Sequence, residues 1–420
     1  ALSFYKQAFA VAENLGDPGL NINVRVGMSR HHRAVGNLSD ARDWANDAVI
    51  YATRVGYRHF HGMALSERGH AAAALGDFAA AEADLRAAVE ILTPLQANFD
   101  LARTHLLLAW LLSEQAERRR EATETFRVAA RSIIGGGYAF LLDQERTIAL
   151  PLVASYLGDA DPEMAELASA LLAHLERVPA LPLRTTTLGR FEVQQGCRCI
   201  EERAWRKRSA GELFRLLLIS PRRSLTSAEI VEALWSDKSP RSAAEFLHQA
   251  TSTLRRILEP ELPARFASRY VEVEGEQVYL HLPPGSWVDY EIFEQHIQTR
   301  EWCAALALYQ GDLFPGDRYA DWVAATRERL SRHYLDALLA TAAQHLDAGR
   351  AQESLDACHR VLERDPWQEN AVLLGMRACL ALNDRAGAIR LYRELERTLR
   401  EELGVSPQPV LQEFCQSLLR

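Results

Sequence analysis

The sequence has no hydrophobic run that approaches the ~18 residues needed to span a bilayer, and no signal peptide is visible. It therefore predicts a cytoplasmic protein with no membrane partner. The 420 residues exceed what one hydrophobic core usually supports, so two or three domains are expected. Hydrophobic residues make up 48% and charged residues 25%, which is ordinary for a globular protein.

Cysteine is scarce, and its six residues show no metal-binding pattern. Only Cys197 and Cys199 are close together, and no Cys/His set has the spacing of a zinc site. The thirteen histidines, including the pair His31-His32, are expected to lie on or between helices. The sequence predicts unpaired thiols and no bound metal.

Motifs of catalysis and of nucleotide binding are also missing. The chain contains no H-E-x-x-H, no G-x-S-x-G and no G-x-x-x-x-G-K-[ST]. The nearest approach to a phosphate-binding loop is Gly135-Gly136-Gly137, which lacks the Lys-Ser/Thr pair and predicts a turn between helices. Neither an enzyme nor a cofactor is predicted.

Residues 1–181 repeat a pattern of helix, glycine, turn and small residue. The small residue recurs at spacings of 40 and 41 residues, at Ala41, Ala81 and Ala122. Gly36 and Gly76 are predicted to end the first helix of a pair, and the small residue is predicted to allow close packing of the second helix. The third copy is degenerate, because Gln115 replaces the glycine.

The C-terminal third repeats at a shorter period of 34 residues, which separates Ser354 from Ala388. Helix-turn-helix units of this length resemble tetratricopeptide repeats, and the N-terminal units look like a longer variant. Such units bury their apolar faces only by stacking, and the resulting concave surface usually binds a peptide or a partner protein. The alternative is a scaffold that merely holds domains together.

The central residues have a different layout. Short strands are followed by an apolar helix near residues 209–219, a second helix ending in EALW, a third helix over residues 242–258 and the hairpin RYVEVEGEQVYLHL. Strands, three helices and a terminal hairpin predict a winged helix, whose third helix can enter the DNA major groove. Pro-rich stretches, VPALP and HLPPG, predict its boundaries, and Asp289 is expected to cap the next helix.

The predicted fold class is therefore mainly α. Two tetratricopeptide-like helical-repeat domains, residues 1–181 and 289–420, flank a small α+β winged-helix domain, residues 182–288. The N-terminal repeats are expected to act in sensing or interaction.

The net charge of −8 argues weakly against a nucleic-acid partner until it is resolved by region. Residues 182–290 carry 16 Lys or Arg and 14 Asp or Glu, so this segment is +2 and the rest is −10. Neutralised phosphates release counterions whatever the total charge of the protein, so a local basic edge suits DNA. Such an edge is predicted near residues 203–223, with the DNA-binding candidates Arg206, Lys207, Arg208, Arg222 and Arg223.

The third helix divides into two faces when it is stepped at about 100° per residue. The apolar face carries Ala243, Leu247, Ala250, Leu254, Ile257 and Leu258. On the polar face, Gln249 can pair bidentately with adenine, Ser252 can bond several base edges, and His248 can donate to guanine. Three arginines are expected to contact phosphate: Arg241, Arg255 and Arg256. Three roles are open for Glu245. It is expected to avoid the phosphates, to accept a hydrogen bond from a cytosine amino group, or to pair with Arg241.

The hairpin is predicted to turn at Gly275. Its apolar alternation is supplied by Val271, Val273, Val278 and Leu280. Arg269, at the base, is expected to reach the minor groove or a phosphate. The tip is acidic, so contact with base edges is expected from the third helix and not from the hairpin.

The central residues resemble the winged helix of the OmpR/PhoB type, on the stretches GELFRLLL, LTSAEIVEALW and the helix that ends in LRRILEP. The residues after them resemble the bacterial transcriptional activation domain of regulators of the antibiotic-regulatory-protein (SARP) type. The most specific stretch is YQGDLFPGDRYADWVAATRERL, residues 309–330. The resemblance covers residues 184–420, and the N-terminal repeats resemble the helical-repeat regions of large regulators in architecture alone.

This resemblance implies a transcriptional activator that binds direct repeats in double-stranded promoter DNA, as a dimer on DNA, and recruits RNA polymerase. It implies that the turn between the second and third helices contacts polymerase through Ser236, Asp237 and Lys238. It also implies an upstream nucleotide-binding ATPase domain in a longer parent chain. Family members often carry Arg where this chain has Thr253, so one expected phosphate or base contact is in doubt.

Two rival functions fit parts of the sequence. A pure interaction scaffold would use both repeat regions, leave the central domain as a spacer and show no salt-dependent binding to duplex DNA. An enzyme has no motif in its favour, and isolated carboxylates such as Asp84 and Glu124 are expected to be solvated. The acidic, stacked character of residues 1–181 supports one further hypothesis: this region holds the DNA-binding domain in check or accepts a signal.

Overall fold

A computed structural model describes residues 2–196, 198–205, 208–263 and 266–419. The chain divides into two compact units. The first comprises Ala1–Pro182 and Gln194–Pro284, and the second comprises Leu183–Val193 and Gly285–Arg420. The second unit thus includes a short segment that the sequence assigns to the central domain, and the three-domain division stays a prediction.

Helices account for most of the described residues, which confirms the mainly α fold. The N-terminal helices are α1 (Leu2–Leu15), α2 (Pro18–Ala34), α3 (Leu38–Val55), α4 (Arg58–Ala74), α5 (Phe78–Leu92), α6 (Asn98–Ser113), α7 (Arg119–Gly135), α8 (Phe140–Gln144), α9 (Arg146–Tyr156) and α10 (Pro162–Arg177). They are called the N-terminal array below.

The central elements are β1 (Leu183–Thr186), β2 (Glu192–Gln195), β3 (Arg198–Ile200), α11 (Glu202–Trp205), α12 (Arg208–Ile219), β4 (Ser224–Thr226), α13 (Ser227–Trp235), α14 (Pro240–Leu258), β5 (Val271–Glu274), β6 (Gln277–Leu280) and β7 (Trp287–Val288). The C-terminal helices are α15 (Asp289–Thr299), α16 (Trp302–Leu308), α17 (Asp321–Asp347), α18 (Ala351–Leu362), α19 (Glu369–Ala381), α20 (Arg385–Thr398) and α21 (Pro409–Leu419).

The N-terminal array consists of helix pairs closed by glycine. Gly36 separates α2 from α3 with a φ of 85°, and Gly76 separates α4 from α5 with a φ of 84°. This left-handed backbone favours glycine and ends the first helix of each pair. The predicted small residues Ala41, Ala81 and Ala122 are fully buried at the start of α3, α5 and α7. The predicted tetratricopeptide-like pairing is confirmed.

The last helices of the array share one hydrophobic core. Residues of α6, α7, α9 and α10 pack together in it, and the ring of Phe126 stacks on the ring of Tyr156 at a centroid distance of 4.6 Å. Pro151 lies inside α9 and has no N–H to donate to the carbonyl of Thr147. Leu262, which lies beyond the C-terminus of α14, packs against this same core.

The central module, defined here as α12–α14 with strands β4, β5 and β6, belongs to the first unit. The three strands form an antiparallel sheet in the order β4-β6-β5, with Ser224 opposite Tyr279 and Val271 opposite Leu280. Helix α13 begins with a capping box, in which Thr226 and Glu229 satisfy each other's backbone N–H groups. Helices α12 and α13 both pack against α14.

The second unit opens on β1, which pairs in parallel with β7. Asp289 is buried and accepts hydrogen bonds from the N–H groups of Thr187, at 2.8 Å, and of Leu188, at 2.9 Å. The expectation that Asp289 caps the next helix is wrong. Asp289 is already the first residue of α15, and its carboxylate accepts hydrogen bonds from the backbone that follows β1.

The C-terminal helices repeat the small-residue packing of the array. Ser354 in α18 and Ala388 in α20 are fully buried, as the 34-residue period predicts. The rings of Tyr309 and Tyr334 stack at 4.3 Å, and Arg364 lies over both rings. This stack joins the end of α16 to α17 and to the residues that follow α18.

No helix among the described residues is long and apolar enough to cross a membrane. Within the same residues, no group of three or more His, Cys, Asp or Glu side chains is placed to hold a metal ion. Five described cysteines are free thiols, Cys199, Cys303, Cys358, Cys379 and Cys415. Cys197 lies outside the described residues.

Candidate nucleic-acid interface

Helix α14 carries the candidate interface, and its N-terminus is built to start a helix. Ser239 is the N-cap and accepts from the N–H of Ser242, while Pro240 occupies the first turn. The helix therefore begins two residues before the predicted start, and it ends at Leu258 as predicted.

The predicted apolar face of α14 is the buried face. Ala243, Ala250, Leu254, Ile257 and Leu258 are buried, and Leu247 is half-buried. This face packs on α12 and α13. The packing fixes which side of α14 is turned to solvent.

The opposite face of α14 is open to solvent. His248 and Gln249 are exposed at its middle, and Ser252 is partly exposed one turn later. The side chain of Arg241 is 93% exposed, and its Nε lies 3.6 Å from the carboxylate of Glu245. Of the three roles considered for Glu245, the structure shows the pairing with Arg241. An exposed pair of this kind is weak, worth about 0.3–0.5 kcal/mol. Arg241 can therefore leave Glu245 at little cost and bind a phosphate.

The last turn of α14 holds two arginines in different environments. Arg256 is exposed, and its guanidinium lies 3.4 Å from both the carbonyl and the hydroxyl of Ser252. Arg255 is half-buried, and its Nη2 donates to the carbonyl of Phe266. Next to them is a cleft of about 330 Å³, lined by Ser252, Arg255, Arg256, Glu259, Leu262 and Pro263. Arg256 is therefore open to a ligand, whereas Arg255 has an internal partner.

Arg269 has internal partners that the sequence did not predict. Its Nε donates to the fully buried carboxylate of Glu259 at 2.8 Å, and its Nη1 donates to the carbonyls of Val178 and Pro179. These internal acceptors compete with a phosphate or the minor groove for the guanidinium, and the DNA contact of Arg269 stays a prediction.

The predicted basic edge is only partly described. Arg206 and Lys207 lie outside the described residues, and Arg208 is the first residue of α12. Arg222 and Arg223 follow α12 in a tight turn, both with left-handed backbone at φ values of 56° and 52°. Non-glycine residues in this conformation cost about 1 kcal/mol each and occur often at functional sites. The side chain of Arg222 is exposed.

The turn between α13 and α14 is exposed along its length, from Ser236 to Pro240. The Nζ of Lys238 lies 2.7 Å from the carboxylate of Asp237, and this hydrogen bond lowers the pKa of Asp237. Phe246, which the sequence analysis did not single out, is 40% exposed in α14 and lies near the ring of Trp235. Its signal in the sequence is an aromatic residue one turn before Gln249, outside the apolar face.

The hairpin turns at Gly275, whose φ is 59°. Val271, Val278 and Leu280 are buried, but Val273 is 55% exposed because the ribbon extends beyond the core there. The acidic residues at the tip, Glu272, Glu274 and Glu276, are exposed. The tip is thus a poor surface for phosphate, as the sequence suggests.

Comparison with known proteins identifies the C-terminal part of the chain. Residues 294–419 match the family model of the bacterial transcriptional activator domain. The matched residues include most of α15 and all helices from α16 to α21.

Relatives extend the similarity beyond the activator domain. The chain is 27% identical to the regulatory protein AfsR of Streptomyces griseus over 260 residues, 58% of this chain and 26% of that protein. It is 27% identical to AfsR of Streptomyces coelicolor over 214 residues, 50% of this chain and 22% of that protein. The chain therefore spans about a quarter of the length of these relatives. The activator domain and the AfsR similarity confirm the resemblance to SARP-type regulators.

Among solved structures, the chain is similar to Mycobacterium tuberculosis EmbR in complex with a low-affinity phosphopeptide. The TM-score is 0.47 at 20% identity, over 57% of this chain and 65% of that chain.

Proposed function

We propose that this chain is a transcriptional activator that binds DNA through the central module, with α14 in the major groove. The observation that carries the proposal is the exposed polar face of α14, with His248 and Gln249 at its middle. A helix whose apolar side packs on two other helices, and whose polar side is free, has the geometry of a recognition helix. The relatives named above are regulatory proteins, which favours a protein without catalytic activity.

In this proposal each side chain of α14 has a separate task. Gln249 pairs with adenine, His248 donates to guanine acceptors, and Ser252 bonds a neighbouring base edge. Arg241 and Arg256 contact phosphates on either side, because they lie at opposite ends of the exposed face. The local basic edge adds contacts from Arg222, Arg223 and the run Arg206 to Arg208.

The first experiment selects bound duplexes from a random pool and then measures affinity for the selected site across a salt series. The double variant Arg255→Ala/Arg256→Ala is expected to bind about tenfold more weakly on all duplexes. The salt slope, the slope of log affinity against log salt concentration, should become shallower by about one. Most of this change is expected from the loss of Arg256.

The matched control is Arg119→Ala/Arg120→Ala, which removes two adjacent exposed arginines at the start of α7. This control should bind like the wild type. Unchanged binding by the Arg255→Ala/Arg256→Ala variant would show that the assigned DNA-contact face is wrong. Absence of salt-dependent binding in the wild type would favour the interaction scaffold instead.

We further propose that the chain binds direct-repeat sites as a dimer on DNA and recruits RNA polymerase through the turn Ser236–Lys238. This turn is exposed and adjoins the first residues of α14, so it stays accessible when that helix is in the groove. The variant Asp237→Ala/Lys238→Ala should keep its DNA affinity and lose most of its activation in a purified transcription assay. A variant that activates normally would contradict this assignment.

A further inference from the structure

The post-helix segment, residues 259–263 and 266–269, connects α14 to the hairpin and is fastened to the N-terminal array. Leu262 packs against the core shared by α6, α7, α9 and α10. Next to it, Glu261 pairs with Arg146, the first residue of α9, at 3.8 Å. The other side of the Arg146 guanidinium donates to the carbonyl of Leu175 in α10 at 2.8 Å. The segment thus joins the array through both apolar and ionic contacts.

A second set of contacts fastens the far end of the segment. Arg269 donates to the carbonyls of Val178 and Pro179, which directly follow α10. The neighbouring hydroxyl of Tyr270 donates to the carbonyl of Leu181 at 2.7 Å. Glu259 ties this end back to α14, because its buried carboxylate accepts from Arg269. The segment is therefore held at both ends.

The same segment forms one wall of the cleft beside Arg255 and Arg256. Leu262 and Pro263 line this cleft, and the carbonyl of Phe266 accepts from Arg255. Leu262 thus contacts the core of the array and also borders the arginines at the end of the proposed recognition helix. Leu262 and Phe266, the partner of Arg255, thus belong to the same short segment.

We propose that the N-terminal array restrains DNA binding by holding the post-helix segment against Arg255. In the held state the guanidinium of Arg255 donates to Phe266 and is turned away from the DNA backbone. Release of the segment from the array frees Arg255 for a phosphate, which raises affinity for every duplex. This inference rests on the proposed DNA-binding function and names the contact through which the array regulates it.

The test uses the full chain with the substitution Leu262→Ala, which removes the apolar contact with the array. We expect DNA affinity to rise about fivefold and the salt slope to steepen by about one, the signature of one added phosphate contact. Hydrogen exchange should become faster in residues 259–263 and 266–269, which reports the release without reference to DNA.

Leu167→Ala is the matched control, because Leu167 is a partly buried leucine of α10 that packs against the same core. This variant loses a comparable contact within the array and should leave DNA affinity unchanged. Glu261→Gln weakens the contact with Arg146 without opening a cavity and should raise affinity by a smaller factor. This milder variant keeps the inference testable if Leu262→Ala does not fold.

The role of Arg255 is isolated by repeating Leu262→Ala in an Arg255→Ala background, where the gain in affinity should vanish. An unchanged or lower affinity of Leu262→Ala, together with faster exchange in the segment, would overturn the restraint and leave the DNA-binding proposal intact. A gain that persists without Arg255 would overturn the assigned contact. If the wild type binds no duplex, the proposed function fails, and this inference fails with it.

Discussion

One arginine of the array, Arg103, and one arginine of α14, Arg241, have opposite environments. Arg103 of the array is 2% exposed and pairs with two buried carboxylates, Glu67 at 2.8 Å and Glu145 at 2.7 Å. In α14 the side chain of Arg241 is 93% exposed and makes one weak pair. The same residue type therefore contributes to stability at Arg103, and at Arg241 it is left open to an external anion. The difference lies in whether the fold supplies buried carboxylates of opposite charge.

The buried cluster links three successive helix pairs. Glu67 lies in α4, Arg103 in α6 and Glu145 between α8 and α9, so the partners of Arg103 are 36 and 42 residues away in the chain. Burial alone would raise the pKa of Glu145, but the nearby charges, chiefly that of Arg103, outweigh it and lower that pKa to about 2. For Glu67, burial is likewise outweighed by Arg103 and its neighbours, and the pKa lies well below its usual range.

The largest expected effect comes from breaking this cluster. Arg103→Met leaves Glu67 and Glu145 buried without their shared cation, and the expected loss is about 3–5 kcal/mol in the free energy of unfolding. Urea unfolding followed by far-UV circular dichroism would measure it. Arg119→Met, on an exposed arginine of α7, should change stability by less than about 0.5 kcal/mol. Equal losses in the free energy of unfolding for the two substitutions would contradict a special stabilising role of the buried Arg103.

Acid provides a second way to test the cluster. Burial lowers the pKa of His70 to about 3, and Arg33 adds to this, so the imidazole stays neutral in the folded chain. In the unfolded chain the pKa is about 6.5, so unfolding takes up a proton below that pH. The folded state should therefore lose about 2 kcal/mol between pH 7 and pH 5 through this group.

Below about pH 4.5 the same experiment reports on the protonation of the two buried carboxylates. Glu67 and Glu145 have lower pKa values folded than unfolded, so their contribution is present above about pH 4.5 and is lost as the pH falls further. Denaturant midpoints measured across pH would follow both steps. His70→Gln should reduce the step between pH 7 and pH 5 by about 2 kcal/mol. His359→Gln, at an exposed position, should preserve it.

The features of the array and of α14 that depend on local periodicity could be predicted from the sequence. Fully buried Ala41 and Ala81 recur at the repeat spacing, and the two faces of α14 follow from a helical period. The sequence did not predict the cluster around Arg103, because residues 36 and 42 positions apart meet only when the pairs stack. The internal partners of Arg269 were missed for the same reason, since its acceptors at Val178 and Pro179 come from a distant part of the chain.

The smallest expected effect on stability comes from an exposed residue of α14. Gln249 is exposed and has no structural task in α14, so Gln249→Ala should change the free energy of unfolding by less than about 0.5 kcal/mol. Selection of bound duplexes should nevertheless show a lost preference for adenine at one position, worth about 1–3 kcal/mol. Arg103→Met should show the reverse, with lower stability and the same selected sequence whenever the chain is folded. A Gln249→Ala variant that selects the wild-type site would indicate that this face of α14 does not contact base edges.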